Sequence, residues 1–242
     1  MNYVIPACTC ILMGYLIGSI NLSYFLSKRK GYDIREHGSG NAGASNVIIT
    51  MGKKAGAFVA VVDILKAVLV VRLAMFIYPE FRFAGVIAAT SVITGHIFPF
   101  YMGFRGGKGL ATLGGSILAL DYRLFLILLL FALFIAFVTD YICFAPISCS
   151  VLFPAIYATT MHFKEGGLWY TAVPYAAILY ISTVFILYRH IGNLKRIKMG
   201  KELRFSFLWN RKAEAERLGI ENDDGKNYPF HYDEEQTQEH RS

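Results

Sequence analysis

Long apolar stretches dominate this chain, and they restrict it to folds that satisfy every backbone polar group inside lipid. Seven stretches in the sequence approach the roughly 20 residues that a helix needs to cross about 30 Å of hydrocarbon. They cover residues 3–27, 55–78, 82–102, 109–120, 122–139, 141–161 and 168–188. Because these stretches are continuously apolar and do not alternate with a period of two, they predict an all-α integral membrane protein with about seven transmembrane helices.

The composition agrees with a membrane location. Apolar residues make up 55% of the 242 residues and charged residues only 17%, whereas about a quarter of a soluble domain is charged. The fourth stretch is the least regular, because Gly109, Gly114 and Gly115 interrupt it and Asp121 closes it. We therefore expect a short or tilted helix there.

Lysine and arginine are concentrated between alternate stretches. Residues 28–54, residues 103–108 and the region after 188 are rich in these cations, whereas the opposite loops contain Arg82, Arg123 and Lys164. The positive-inside rule then predicts an N-terminus outside and a C-terminus in the cytoplasm. The net charge of +7 does not indicate nucleic-acid binding, because cations at membrane boundaries are typical of contacts with anionic headgroups or substrates.

The chain changes character after its last apolar stretch. Residues 1–204 form the predicted membrane domain, and residues 205–242 form a polar tail that becomes rich in Asp and Glu. A short amphipathic helix is expected within residues 206–220, and residues 221–242 have a composition typical of disorder.

A first polar motif, residues 38–46, follows the first cationic region and reads GSGNAGASN. Its glycines free the backbone to turn N–H groups toward an anion, and its serine and asparagine side chains add short hydrogen-bonding groups. A flexible turn is the alternative interpretation. The candidate phosphate-binding residues here are Gly38, Ser39, Gly40, Asn41, Gly43, Ser45 and Asn46.

A second motif, residues 103–109, reads GFRGGKG and leads into the fourth apolar stretch. Backbone amides and a helix N-terminus are expected to face an anion beside Lys108. The motif differs from a nucleotide-binding P-loop, because Met102 stands in place of the first glycine and Gly109 in place of the Ser or Thr. A simple cationic loop is the alternative. The candidate residues are Arg105, Gly106, Gly107, Lys108 and Gly109.

Two further groups of polar residues lie within or at the ends of apolar stretches. His190 and Asn193 are three residues apart, so a helix presents them on one face. Asp63 and Lys66 have the same spacing inside the second stretch, where an ion pair serves either function or structure. His96 ends the third stretch, and taken alone it favours a structural role.

In this order, the motif GSGNAGASN, the Asp63 to Lys66 spacing, and the motifs GHIFPFYMGFRGGKGLAT and YRHIGNLKRIKMGKE resemble those of the bacterial acyl-phosphate-dependent glycerol-3-phosphate acyltransferases, the PlsY family. The resemblance covers about residues 3–204. It implies a seven-helix enzyme of the bacterial cytoplasmic membrane, with its active site facing the cytoplasm. Such an enzyme moves a fatty acyl group from acyl phosphate to the 1-hydroxyl of glycerol 3-phosphate, giving lysophosphatidate, without cofactor or metal. The implied catalytic residues are Ser39, Lys108, His190 and Asn193, and the surrounding glycines shape the phosphate pockets.

One position departs from the family pattern. The first motif of the family usually has an arginine three residues after its last asparagine, where this chain has Ile49. Loss of a charge-assisted contact costs about 1.5 to 3 kcal/mol. Arg35, Lys53 or Lys54 compensates, or the acceptor is a different phosphate-bearing molecule, or activity is low. An organic-phosphate transporter is the alternative from another functional class.

Overall fold

The computed structural model describes residues 3–219, apart from the side chain of Arg211. Within this range the chain forms α-helices and short 3-10 turns and no strand. The helices are α1 (Val4–Ser19), α2 (Leu22–Arg29), α3 (Ala44–Met51), α4 (Lys53–Ile77), α5 (Ala84–Ile97), α6 (Leu110–Leu120), α7 (Tyr122–Thr139), α8 (Phe144–Lys164), α9 (Trp169–Lys198) and α10 (Arg211–Leu218). The 3-10 turns are Ile34–Glu36, Phe100–Met102 and Phe205–Leu208.

Five helical segments among the described residues are long and apolar enough to cross a membrane. They are Val4–Arg29, Ala84–Met102, Tyr122–Thr139, Phe144–Lys164 and Trp169–Lys198. Helix α6 is apolar but has only 11 residues, and α4 has 25 residues but contains Asp63 and Lys66. The predicted all-helical membrane fold is confirmed, whereas the count of seven spans and the orientation of the termini stay predictions.

The first apolar stretch was expected to form one helix over residues 3–27, but the structure divides it. Helix α1 ends at Ser19 and α2 begins at Leu22. Between them, the Asn21 side chain accepts a hydrogen bond from the Tyr24 backbone N–H at 2.9 Å and so caps α2. The break leaves the Ile20 carbonyl outside the regular helical ladder, where it accepts a hydrogen bond from Lys66 Nζ at 2.7 Å.

Helices α1 and α5 pack closely, because both have glycines at their contact. A Cβ atom at Gly18 would lie 2.3 Å from the Val92 carbonyl oxygen, and one at Gly95 would lie 2.2 Å from the Tyr15 carbonyl oxygen. Close approach through small residues is a common way for membrane helices to associate. Around this pair, α4 packs on α6, and α8 packs on α7 and α9.

The two ends of the bundle differ in their polar contacts. At one end, Arg82 pairs with Glu165 at 3.1 Å, and Lys164 lies 3.8 Å from Asp121. The start of α5, the end of α6 and the end of α8 therefore meet there. The opposite end gathers the first motif, the second motif, the turn at Asp140 and the segment that follows α9.

The segment after α9 folds back onto this second end. Asp140, in the left-handed region with φ 57°, accepts hydrogen bonds from the Ser206 backbone N–H at 2.8 Å and the Ser206 hydroxyl at 2.9 Å. Across the predicted boundary at residue 204, the Arg204 N–H donates to Glu214 at 2.8 Å. The expected helix within 206–220 occurs as the 3-10 turn Phe205–Leu208 and α10, whereas the tail beyond residue 219 lies outside the described residues.

Candidate active site

A cavity opens at the end of the bundle where the polar motifs meet, and it has two adjoining chambers. Ser39, Lys108, Asn193 and Arg196 line both. The apolar chamber, about 130 Å³, is also lined by Ile48, Ile49, Leu110, Ile142, Pro146 and Phe207, among others. The polar chamber, about 330 Å³, is also lined by Gly40, Asn41, Tyr188, Arg189, Ile191 and Gly192. The arrangement suits a ligand with a charged head and an apolar part.

The first loop, residues 38–46, is held from behind by Asn46. Its side chain accepts a hydrogen bond from the Ser39 backbone N–H at 2.8 Å and donates to the carbonyl oxygens of Ile34 and His37, each at 2.9 Å. A Cβ atom at Gly38 would lie 2.2 Å from the Asn46 amide oxygen. The contact between Gly38 and Asn46 therefore holds the loop on the side away from the cavity, and Ser39 lines the cavity.

The second loop, residues 103–109, differs from the expected phosphate cradle. The Gly106 N–H donates to the Ile97 carbonyl at 3.0 Å, and the Gly107 N–H donates to the His96 carbonyl at 3.1 Å. Both amides are thus used within the protein and do not face an anion. The predicted role of these two glycines needs correction: they let the loop pack against the end of α5, since a Cβ at Gly106 would meet the His96 carbonyl oxygen at 2.2 Å.

Lys108 carries the positive charge of the second loop into the cavity. Its side chain is partly buried, and burial lowers the pKa of the Lys108 amine to about 8, with the nearby Arg196 guanidinium acting in the same direction. A partly buried ammonium next to another cation is a favourable place for an anion, because the anion restores the lost solvation. The structure therefore places a cationic side chain between the two chambers, and its contact with an anion stays a prediction.

Helix α9 contributes His190 and Asn193 to the same cavity wall. The His190 Nδ1 lies 2.7 Å from the Ile186 carbonyl oxygen; because a carbonyl only accepts, Nδ1 carries the proton and Nε2 of the neutral ring is an acceptor. The Asn193 amide nitrogen donates to Glu202 at 2.6 Å, which fixes the amide orientation. The Asn193 oxygen is buried without a partner among the described residues, as expected of a group that meets a ligand.

Sequence reasoning missed the residues that follow α9. Glu202 is buried and bridges Asn193 and Arg196, whose Nε donates to the other carboxylate oxygen at 2.7 Å. Arg204 also lines the apolar chamber. Glu202 ends the third quoted motif, so its presence there was a signal; Arg204 reaches the cavity only because the chain reverses at Gly200, where φ is 69°.

Ile49 lies where the family pattern has arginine, and its surroundings are apolar. It is 4% exposed and packs in one cluster with Phe207 and Leu203. None of the three cations expected to compensate lines the cavity. The Arg35 guanidinium pairs with Asp33 at 2.8 Å, and Lys53 and Lys54 are exposed at the start of α4. The additional cations that do line it are Arg189, Arg196 and Arg204.

Cys143 also lines the apolar chamber, just before α8. Burial raises the pKa of its thiol to about 12, and the Glu202 carboxylate acts in the same direction. Since the thiolate is the nucleophilic form of cysteine, Cys143 is a poor candidate for a covalent acyl carrier.

The predicted site residues fall into two groups. The residues that line the cavity are Ser39, Gly40, Asn41, Ser45, Lys108, His190 and Asn193. The others lie behind it or beside it: Gly38, Gly43, Asn46, Gly106, Gly107 and Gly109 shape the loops, and Arg105 is exposed at the surface. All four residues implied to be catalytic therefore meet, although they are separated by up to 154 positions (39 to 193).

The fold and the cavity define a class: a helical membrane protein with a cavity lined by cationic and polar side chains at one end of its bundle. A family model described as glycerol-3-phosphate acyltransferase matches residues 8–200. The glycerol-3-phosphate acyltransferase of Clostridioides difficile is 35% identical over 209 residues, covering 83% of this chain and 94% of that protein. That of Bacillus subtilis is 35% identical over 199 residues, covering 82% and 97%.

Solved structures agree. The chain is similar to a crystal structure of PlsY, an integral membrane glycerol 3-phosphate acyltransferase, in its glycerol 3-phosphate form, with a TM-score of 0.71 and 31% identity over 84% of this chain and 96% of that one. Its lysophosphatidic acid form gives 0.69 and 30%. This chain belongs to the glycerol-3-phosphate acyltransferase family.

Proposed function

We propose that this protein transfers a fatty acyl group from acyl phosphate to the 1-hydroxyl of glycerol 3-phosphate, giving lysophosphatidate and inorganic phosphate. The reaction takes place at the cytoplasmic face of a bacterial membrane and contributes to phospholipid synthesis. The observation that carries the proposal is the convergence of Ser39, Lys108, His190 and Asn193 on one cavity with a polar and an apolar chamber. The named relatives and the glycerol 3-phosphate form of PlsY support the choice of acceptor.

The chemistry needs two phosphate-bearing molecules side by side. The 1-hydroxyl oxygen of glycerol 3-phosphate forms a bond to the acyl carbonyl carbon, and the bond from that carbon to the phosphate oxygen breaks. The hydroxyl proton ends on the departing phosphate, so no external base or metal is required. In this arrangement the enzyme supplies mainly positioning and electrostatic stabilisation.

The cations supply the electrostatic part of the mechanism. Lys108 borders both chambers. We therefore propose that its ammonium group stabilises the negative charge that develops at the acyl carbonyl and the departing phosphate. Arg196 and Arg204 flank the apolar chamber and add positive charge near the phosphates. The Ser39 hydroxyl, which lines both chambers, donates to a phosphate oxygen of either substrate.

The uncharged groups orient the acceptor. The Asn193 amide nitrogen donates to Glu202, and its amide oxygen has no partner among the described residues. We propose that this oxygen accepts a hydrogen bond from a hydroxyl of glycerol 3-phosphate. Asn41, whose amide oxygen is also buried and unpartnered in the described part of the chain, takes the second hydroxyl. The acyl chain extends from the apolar chamber, past Ile142 and Pro146, toward the lipid.

The test is an assay with purified protein, comparing acyl phosphate and acyl-CoA as donors. Glycerol 3-phosphate, dihydroxyacetone phosphate and glycerol 2-phosphate serve as acceptors. We expect lysophosphatidate to form from acyl phosphate and glycerol 3-phosphate at a rate at least about tenfold above that with acyl-CoA. A folded protein that produces no lysophosphatidate from acyl phosphate would refute the proposal.

A second candidate function, transfer to a different phosphate-bearing acceptor, is favoured by one observation. Ile49 and Phe207 make the nearby cavity wall apolar, where the family pattern has a cation. An acceptor with less charge or a bulkier carbon skeleton would suit such a wall. The acceptor series distinguishes the two candidates, because a higher kcat/KM for another acceptor selects this one.

The variant Ile49→Arg tests separately whether the missing arginine affects the KM for glycerol 3-phosphate. If glycerol 3-phosphate is the natural acceptor and the other arginines compensate, the new cation leaves its KM within about threefold. A much lower KM would mean that the compensation is incomplete, as the loss of a charge-assisted contact predicts. Ile49→Leu is the matched control, since it preserves the apolar contact with Phe207.

A further inference from the structure

Three ionisable side chains meet inside the bundle, outside the cavity. Lys66 Nζ lies 2.7 Å from Asp63 Oδ1 and 3.1 Å from His96 Nδ1, and His96 Nδ1 lies 3.5 Å from Asp63 Oδ1. All three side chains are less than 10% exposed. Asp63 and Lys66 belong to α4 and His96 to α5, and none of them lines either chamber. The mechanism above makes no use of them.

The contacts fix the protonation of this cluster. An ammonium group only donates hydrogen bonds, so the close approach of Lys66 makes His96 Nδ1 an acceptor and leaves the proton on Nε2. The cluster then consists of one cation, one anion and a neutral ring. Buried charges in a membrane protein are expensive even when paired, and an apolar replacement of similar volume is often as stable. Stability alone is therefore a weak reason for this arrangement.

The cluster directly contacts the second loop. The His96 carbonyl accepts the Gly107 N–H at 3.1 Å, and the His96 ring occupies the space beside Gly107, where a Cβ atom would lie only 2.0 Å from Nε2. The next residue is Lys108. The His96 ring, which contacts Lys66 and Asp63, therefore packs against the residue that directly precedes Lys108.

The same cluster reaches the first loop through the break between α1 and α2. Lys66 Nζ donates to the Ile20 carbonyl at 2.7 Å, the carbonyl freed by the break. The neighbouring Asn21 donates its side-chain amide to the Ala42 carbonyl at 2.9 Å, within the loop that carries Ser39. The two loops are in turn adjacent, since a Cβ at Gly43 would lie 4.0 Å from the Gly107 Cα.

We propose that Asp63, Lys66 and His96 are positioning residues that hold the two substrate-binding loops at the separation required for acyl transfer. The Lys66 ammonium connects the two loops. It contacts the Ile20 carbonyl on the side of the first loop and the His96 ring on the side of the second loop. The inference rests on the proposed function for its kinetic readout. A misplacement of about 1 Å at a reacting centre can cost on the order of 10²-fold in rate.

The main test is the double variant Asp63→Asn with Lys66→Met, which removes the ion pair without leaving a single buried charge. We expect kcat to fall at least about tenfold, and hydrogen exchange of residues 38–46 and 104–109 to accelerate relative to the rest of the protein. The matched control is Arg82→Met with Glu165→Gln, which removes the ion pair at the opposite end of the bundle. The control is expected to leave kcat and exchange in both loops unchanged.

A second pair of variants tests the role of His96. His96→Leu removes the acceptor for Lys66, whereas His96→Asn places an amide oxygen near the position of Nδ1. We expect the Leu variant to lose activity at least about tenfold and the Asn variant to recover a substantial part of it. This rescue keeps the proposal testable if the double variant does not fold.

The outcomes separate this inference from the proposed function. If the natural protein transfers no acyl group, the proposed function fails, and loop exchange alone decides the inference. If the natural protein is active but the double variant keeps natural kcat and natural loop exchange, the positioning role is refuted. Equal losses of activity in the Leu and Asn variants would also contradict it, since a purely structural histidine predicts no rescue.

Discussion

At the scale of single residues, Lys108 is the residue on which the proposed chemistry most depends. It borders both chambers, and the amides of Gly106 and Gly107 that were expected to assist it are bonded to the end of α5. The side-chain ammonium therefore has to supply charge that a phosphate-binding loop ordinarily shares with its backbone N–H groups. Substitutions at this position are expected to affect turnover more than substitutions of the neighbouring glycines.

We expect Lys108→Ala and Ser39→Ala each to lower kcat at least about 10²-fold, as the loss of one key electrostatic donor can do. Steady-state kinetics with acyl phosphate and glycerol 3-phosphate measure the effect. Arg105→Ala is the control on the second loop, because Arg105 is exposed and lies outside both chambers. A rate within threefold of the natural enzyme in either cavity variant would contradict the assigned roles.

The pH dependence follows from the pKa of Lys108. That pKa is lowered to about 8. In the free enzyme, the Lys108 side chain is therefore a charged ammonium below this pH and a neutral amine above it. We expect kcat/KM for glycerol 3-phosphate to fall as the pH rises from 7 to 9.5, with a midpoint near 8. A bound phosphate raises the pKa, so kcat declines at higher pH than kcat/KM.

Lys108→Arg provides the comparison for this pH profile. The guanidinium stays charged throughout the range, and a phosphate ester has its second pKa near 6, so the substrate does not titrate there. The variant is therefore expected to give a flat profile, whatever its absolute rate. The same decline in the arginine variant would assign the titration to another group.

At the scale of helices and loops, the sequence predicted segments that line the cavity but not the contacts that hold those segments in place. The spacing of His190 and Asn193 predicted their shared face, and both line the cavity. The backbone amides of the second loop could not be predicted, because their partners are the last carbonyls of α5, and that contact depends on tertiary packing. The break at Ile20 was not predicted either, although Ser19, Asn21 and Ser23 around it are polar and asparagine is a common N-cap residue.

The C-terminal segment shows the same limit of sequence reasoning. Residues after 204 were predicted to form a separate tail, yet α10 contacts the residues that border the cavity. The Arg217 guanidinium donates to the Glu202 carbonyl at 2.7 Å and pairs with the Glu214 carboxylate at 2.6 Å. The acidic composition of this region gave no sign of these contacts, which depend on the chain reversal at Gly200.

We expect Arg217→Ala to detach α10 and to loosen Glu202, because the buried Glu214 carboxylate then loses its cation. Contacts of this kind contribute about 1.5 to 3 kcal/mol to stability. About half of that reaches the cavity through Glu202, so we expect the KM for glycerol 3-phosphate to rise between about three- and tenfold, equivalent to roughly 0.7 to 1.4 kcal/mol. Lys212→Ala, at an exposed position on the same helix, is the control. An unchanged KM and an unchanged melting temperature would mean that α10 does not support the cavity.

At the scale of the whole molecule, the bundle has two polar ends with different contacts. The cavity, both loops and α10 lie at one end, and the ion pairs of Arg82 with Glu165 and of Lys164 with Asp121 lie at the other. Helix α6 begins at the cavity end, at Leu110, and finishes beside Asp121. Its 11 residues are about 16 Å long, shorter than the roughly 30 Å of hydrocarbon, so the fourth span stays a prediction.

The orientation predicted from the distribution of cations is testable with single cysteines. In a variant without the four native cysteines, Lys54→Cys lies at the cavity end and Glu80→Cys at the opposite end, and both positions are exposed. We expect a membrane-impermeant thiol reagent to label Lys54→Cys in inside-out vesicles and Glu80→Cys in protoplasts or spheroplasts. The reverse pattern would place the cavity outside, where cytoplasmic acyl phosphate and glycerol 3-phosphate do not reach it, and would contradict both the topology and the proposed reaction.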